Sequence, residues 1–314
     1  MLEKMGLASP RRWDMLAFGD PNVDLVFAVD HAPGADQKVL GRRLGQFAGG
    51  TVANVACAAS NLGLSTQVYG RVGDDSEGVL LTREFSRFGV GLEQLKKIPD
   101  TASSMAIVMV ESSGEKALIY SPMQGTVPLG SSFLQALTQS RLLYAMPYDM
   151  EEFSLVHGLA REAGVIIAID VEAVMITDLV HMRRLMAMCD IVFMNEATYL
   201  SIFNEPPQLK AMQERLHSRQ QILVVTRGSN GAMAVSGDVG VEVPAFHTKV
   251  IDTTGAGDCF NGAFLAALFD GLSLTSALRF ACAAGSFALE ATGARSSLPN
   301  RAQVDARLAG RSVL

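Results

Sequence analysis

The chain has 314 residues, 49% hydrophobic and only 18% charged, with no apolar run near the roughly 18 residues a membrane span requires; this excludes disordered and membrane-spanning classes and leaves a soluble chain with a large core. A balance of 26 Lys and Arg against 32 Asp and Glu gives a net charge of -6, which disfavours adhesion to nucleic acid or anionic membrane but permits a local phosphate pocket. The 4 cysteines lie far apart in apolar or small-residue segments and the 5 histidines lack metal-binding spacing, so neither a disulfide framework nor a zinc site is expected.

Residues 1–12 carry charges but no apolar stretch followed by a cleavage site, so they read as a ragged start and the cytoplasm is the default compartment. Asp24 to Asp30, Lys38 to Phe47 and Met105 to Tyr120 are extended, partly alternating and broken by turn residues, with Ser112-Ser113-Gly114 marking a hairpin-like turn. These pieces predict a small antiparallel sheet standing as a lid beside a main layer. Thr51 to Leu62 places Val52, Val55, Ala56, Ala59 and Leu62 on one helical face and stops at Gly63; Glu77 to Phe88 follows Ser76 as N-cap and stops at Gly89.

From Leu142 onward, short apolar runs recur at Leu142 to Met146, Val165 to Ile169, Ile191 to Met194 and Ile222 to Val225, as strands buried on both faces require. Helix-like stretches between them, Asp178 to Met188 and Pro207 to Arg219, are long enough to act as crossovers. The alternation predicts an α/β fold, a doubly wound and mostly parallel sheet flanked by helices. No repeat, low-complexity tract or long linker divides the chain, so one domain over residues 13–310 is expected, with the lid formed by about 23–47 and 103–121 inserted in it.

The segment Val250-Ile251-Asp252-Thr253-Thr254-Gly255-Ala256-Gly257-Asp258-Cys259-Phe260-Asn261-Gly262-Ala263-Phe264 reads as a strand that turns into a helix, with Phe260, Phe264, Ala267 and Leu268 on one face up to Gly271. Unpaired amides of Gly255, Ala256 and Gly257 at that helix start would form a phosphate-sized anion hole. Asp258 beside it would repel a phosphate if anion binding were the whole purpose. A base that takes the proton of an attacking hydroxyl accounts for it, and phosphoryl transfer needs both features. The alternative, an acidic residue favoured by the helix dipole, stands beside that reading. No Walker A sequence is present and no G-x-G-x-x-G follows the first strand, which disfavours P-loop kinases and Rossmann dehydrogenases.

The run D-T-T-G-A-G-D-x-F-N-G-A-F resembles the C-terminal signature of the ribokinase-like, or PfkB, carbohydrate kinases. Gly49-Gly50-Thr51-Val52-Ala53-Asn54-Val55-Ala56 resembles the N-terminal signature, Gly19-Asp20-Pro21-Asn22-Val23-Asp24 the opening strand and substrate loop, and Arg71 to Gly78 the G-x-D-x-x-G element, all in family order. The resemblance implies an ATP- and Mg2+-dependent kinase of a small sugar. It implies that Asn22, Asp24, Gly49, Gly50 and Asn54 hold the sugar, with amides and carboxylates suited to vicinal hydroxyls. It puts the nucleotide against Asn195, Thr226, Gly228 and Gly231, with Ala284, Gly285 and Phe287 as walls for adenine. It also implies a monovalent cation such as K+ at Asp252, Thr254, Ala288, Ala291, Gly293 and Ser297.

Two departures stand out. Where the family often reads N-x-x-E, this chain has Asn195-Glu196-Ala197-Thr198, so Glu196 acting on magnesium through water takes the place of the expected glutamate. Thr51 follows the glycine pair where related chains read G-G-K, and the only nearby cations are Lys38, Arg42, Arg43 and Arg71. An unphosphorylated sugar, sugar acid or nucleoside is therefore expected. Two alternatives stay open: a nucleoside kinase, for which Phe27, Phe47 and Tyr120 offer stacking surfaces, and a non-catalytic regulator that binds sugar or nucleotide. Apolar lid strands suggest a homodimer.

Overall fold

The computed structural model describes residues 10–112 and 116–310, so Ser113 and Gly114 of the expected hairpin turn, with most of the ragged start, lie outside the described residues. In chain order the elements are β1 (Trp13–Phe18), β2 (Asn22–Val29), β3 (Gly41–Gly49), α1 (Thr51–Asn61), β4 (Thr66–Gly73), α2 (Ser76–Arg87), β5 (Gly91–Ile98), β6 (Ser104–Glu111) and β7 (Lys116–Ser121). There follow α3 (Ser131–Thr138), β8 (Ser140–Ala145), α4 (Met150–Glu162), β9 (Ile166–Val171), α5 (Leu179–Met188), β10 (Ile191–Asn195), α6 (Glu196–Phe203), α7 (Leu209–Arg215) and β11 (Ile222–Thr226). The chain then forms β12 (Ala232–Ser236), β13 (Val239–Val243), α8 (Ala256–Phe269), α9 (Leu274–Ala288) and α10 (Arg301–Leu308).

The apolar runs become the middle of a 9-stranded sheet ordered β13-β12-β11-β10-β9-β8-β1-β4-β5, parallel from β11 to β5 and antiparallel at β12 and β13. Alternate side chains feed two separate cores, because successive residues of a strand point to opposite faces. Met15 and Ala17 of β1 join the α1, α8 and α9 side, while Leu16 and Phe18 join the α3, α4 and α5 side. The expected α/β sheet covered on both faces is thus realised. The 4 cysteines are free and buried in these cores, and no helix among the described residues is long and apolar enough to cross a membrane.

Beside this layer stands a 4-stranded sheet, β3-β2-β6-β7. It departs from the antiparallel expectation, since β2 and β6 pair in parallel. Between them the chain runs through β4 and β5 of the main sheet, and such a crossover lets it re-enter the small sheet in its original direction. Three local expectations also shift. Asp75, one residue before Ser76, caps α2 by accepting from Gly78 N, and also accepts from Ser103 N and Oγ. The stretch Pro207 to Arg219 is helical only over α7, ending at Leu216 in an extended conformation. Val250 and Ile251 join no strand; the Ile251 amide donates to Leu289 O at the end of α9 instead.

Candidate active site

The residues from both ends of the chain meet where α1 and α8 begin. Glycine makes the approach possible: a Cβ on Gly262 would fall 2.9 Å from Ala58 Cβ and from Val55 O, so a larger residue would force the helices apart. Gly262 lies one turn beyond Asp258 and Ala58 one turn beyond Asn54, so that contact aligns the two polar side chains. Asn54 Nδ2 donates to Asp258 Oδ2 at 2.7 Å. Burial is the chief cause that pushes the Asp258 carboxyl up to about 6; the Asn54 hydrogen bond and the Arg295 charge oppose it, while Glu172 and Asp24 add to it. A carboxylate tuned to that range is ionised at neutral pH and basic enough to take a proton.

The loop before α8 is shaped by Gly255, whose φ of 77° lies in the left-handed region and whose Cβ would meet Ala294 Cβ at 2.5 Å. A Cβ on Gly257 would meet nothing within 4 Å, so the helix start faces open space. Of the three expected free amides, that of Ala256 already donates to Thr253 O at 3.3 Å, closing the turn. Among the described residues no acceptor faces the Gly255 and Gly257 amides. Of the three amides expected to face an anion, two are thus without a partner among the described residues. Helix α8 is also buried all round from Cys259 to Leu268, not on one face alone.

The expected sugar group is gathered on the lid side. Asn22 Nδ2 donates to Asp24 Oδ1 at 2.6 Å, and Asn22 pairs with Gly49 across β2 and β3. A Cβ on Gly49 would fall 2.3 Å from Asp24 Oδ2, and one on Gly50, at φ 92°, 3.1 Å from Asn22 Oδ1. Both glycines are thus needed for these side chains to sit where they do. Burial raises the Asp24 carboxyl above its ordinary value. Arg71 is buried and fully committed to Asp20 and to the carbonyls of Gln124 and Thr126, so it is not a free cation for a substrate phosphate.

Asn195 and Thr226 face each other at the carboxyl ends of β10 and β11, the edge at which ligands of open α/β sheets bind. Asn195 Oδ1 accepts from Thr198 N and so caps α6, with Glu196 half-buried next to it and Thr198 buried. Gly228 leaves open space, whereas Gly231, at φ 85°, is demanded by Val243 O only 2.0 Å from its would-be Cβ. Ala284 and Gly285 are buried in α9 where it packs on α8, with Ala284 O accepting from Cys259 Sγ, and Phe287 is 5% exposed under Arg307.

For the cation, Asp252 accepts from the Gly293 amide and from both Thr254 N and Oγ1, and its carboxyl is held down to about 2 despite burial by these hydrogen bonds and Lys116. Ala288 is buried and Ala291 half-buried alongside, and Ser297 Oγ is buried without a hydrogen-bond partner among the described residues, an orphan that an added cation would satisfy. Among the described residues no three His, Cys, Asp or Glu cluster as a metal site.

Sequence reading missed three groups. Arg295 is buried and bridges Asn54 Oδ1 (2.7 Å) and Gly49 O (2.8 Å). Lys116 of the lid donates to Asp252 Oδ1 and Thr254 Oγ1. Asn261, one turn into α8, donates to Asp170 at the end of β9 and to Tyr144, anchoring the helix start over the sheet edge. Of these, only Asn261 left a signal, a buried amide in an apolar helix.

The fold and these clustered motifs define a sugar-kinase class of protein. The chain belongs to the pfkB family carbohydrate kinases, whose family model matches residues 14–301; members are phosphotransferases with an alcohol acceptor, and ATP binding fits the family. It is 28% identical over 293 residues to the ribokinase of Lactococcus lactis, covering 92% of this chain and 95% of that one. It is 26% identical to the nucleoside kinase of Methanothermobacter thermautotrophicus, covering 91% and 93%. The structure of Arabidopsis thaliana ribokinase complexed with ribose and ATP superposes with a TM-score of 0.80 at 24% identity, covering 93% and 97%.

Proposed function

We propose that this chain transfers the γ-phosphoryl group of ATP to a hydroxyl of an unphosphorylated sugar or sugar-like alcohol, with Asp258 as general base. The observation that carries the reading is the Asp258 carboxylate fixed by Asn54 beside the Gly255 and Gly257 amides. Asn22, Asp24, Gly49, Gly50 and Asn54 orient the acceptor. Its oxygen attacks the γ-phosphorus as Asp258 takes its proton, the bond to the bridging oxygen of ADP breaks, and the two amides with the α8 dipole stabilise the charge on the transferring group. Asn195, Thr226, Gly228 and Gly231 flank the nucleotide.

Glu196, acting through water, would hold magnesium, which needs few protein ligands and would supply neutralising charge to the nucleotide's phosphates. Asp252, Thr254, Gly293 and Ser297, with carbonyls of Ala288 and Ala291, would hold K+ next to the anion hole. Arg71 being committed to Asp20 favours an acceptor without a phosphate. The lid exposes Leu118 (61%), Ile119 (60%) and Tyr120 (51%), a surface suited to a second copy of the chain.

An ADP-release assay over sugars, sugar acids and nucleosides, with magnesium and with or without potassium, tests the reading. Turnover of a sugar or sugar acid supports it; preference for a nucleoside moves the assignment to a nucleoside kinase. Binding without turnover of any alcohol would establish a non-catalytic regulator and overturn it.

A further inference from the structure

Arg295 is a costly residue for a fold to bury. It is 4% exposed and forms no ion pair among the described residues. Its partners are the neutral oxygens Asn54 Oδ1 and Gly49 O and the ring of Phe85, 5.4 Å away, and its Nη1 is buried with no hydrogen-bond partner among the described residues. A buried guanidinium with such weak compensation destabilises a fold unless its charge acts on something else. One carboxylate it serves is reached through a single amide: Arg295 Nε donates to Asn54 Oδ1, and Asn54 Nδ2 donates to Asp258 Oδ2.

An asparagine amide can turn over, exchanging oxygen for nitrogen. Here both neighbours oppose the exchange. Turned over, Asn54 would set N–H against the guanidinium N–H groups and its oxygen against the carboxylate. With Arg295 in place, Asn54 donates to Oδ2 only, and among the described residues no donor reaches Oδ1, which stays available to a hydroxyl proton. The second arm, Nη2 to Gly49 O, ties the lid-side loop that carries the acceptor group to the same guanidinium.

We propose, on the kinase reading above, that Arg295 is a positioning residue for the transfer, locking Asn54 in the orientation that aims one oxygen of Asp258 at the acceptor and fixing Gly49 in register with it. Its charge also stabilises ionised Asp258 against the opposing carboxylates of Glu172 and Asp24, while burial and Asp258 itself raise the neighbouring Asp170, and Tyr144 and Cys259 stand neutral alongside.

The test is the titration of Asp258, followed by carboxyl carbon NMR of protein labelled at aspartate and assigned by loss of the signal in Asp258→Asn, in wild type, Arg295→Met and Arg295→Lys. Arg295→Met should move the Asp258 midpoint upward by about one unit, and the acid limb of kcat with it. Arg295→Lys keeps the charge but not the fork, so its midpoint should stay near that of wild type while the pH-independent kcat falls about tenfold. Folded variants with an unmoved midpoint and unchanged kcat overturn the proposal. Should Arg295→Met not fold, Arg295→Lys decides by its kcat plateau. A wild type that phosphorylates no alcohol counts against the kinase reading instead, while a shifted midpoint still supports the coupling of Arg295 to Asp258.

Discussion

Burial pushes the Asp258 carboxyl from an ordinary 3.8 up to about 6, and this has two consequences of opposite value. As the proposed base, Asp258 acts in its ionised form, so kcat should fall as pH drops through about 6; a pH profile of the wild type checks this. Stability runs the other way. The folded state holds the proton more tightly than the unfolded chain, so this contribution is fully present below the unfolded value and is lost as pH rises through about 6. Asp258→Asn should therefore lose about 10²–10⁴-fold in kcat. In urea melts at pH 8 it should gain about 1–3 kcal/mol over wild type, a gain that shrinks at acid pH. The place of Asp258 at a helix start behind glycines was legible because glycines, carboxylate and helix start lie within a few consecutive residues. Arg295 was not, because its partner Asn54 is 241 positions away and nothing in a lone loop arginine announces a bridge.

At the scale of one helix start, Gly255 and Gly257 look equivalent in the sequence but carry different loads. Gly255→Ala places a side chain on a left-handed backbone and against Ala294, so it should lower Tm and cost more than the roughly 1–2 kcal/mol of the dihedral alone. Gly257→Ala meets no protein atom, so its Tm should stay near wild type while its methyl group intrudes on the space proposed for the phosphoryl group and kcat falls. Thermal melts and kinetics on both variants separate the roles; equal Tm losses would show that the open space at Gly257 is misassigned. The parallel strands were legible as unbroken apolar runs. The parallel pairing of β2 with β6 was not, since register between lid strands is set by a chain path through the main sheet. Val250 and Ile251 have strand-like composition, yet they join no strand, and the end of α9 takes the Ile251 amide instead.

Across the whole molecule, the lid and the loop that opens α8 are joined by Lys116, whose ammonium reaches Asp252 at 2.9 Å with side-chain exposures of 32% and 16%. Replacing it by Met should raise KM for the acceptor about twofold to fivefold, the modest weight of a partly exposed pair, and should abolish part of the salt dependence of KM. Titrating KM against added salt in both proteins checks this. That bridge was invisible in the sequence, its partners being 136 residues apart. The enclosed thiols offer a different handle on the molecule. Burial pushes Cys57 up to about 11 and both Cys259 and Cys282 up to about 12, and it raises Cys189 as well, so hardly any reactive thiolate exists in the native state. Alkylation by a reagent such as iodoacetamide must then wait for the chain to open, which turns its native cysteines into a dye-free clock for unfolding that bound nucleotide should slow.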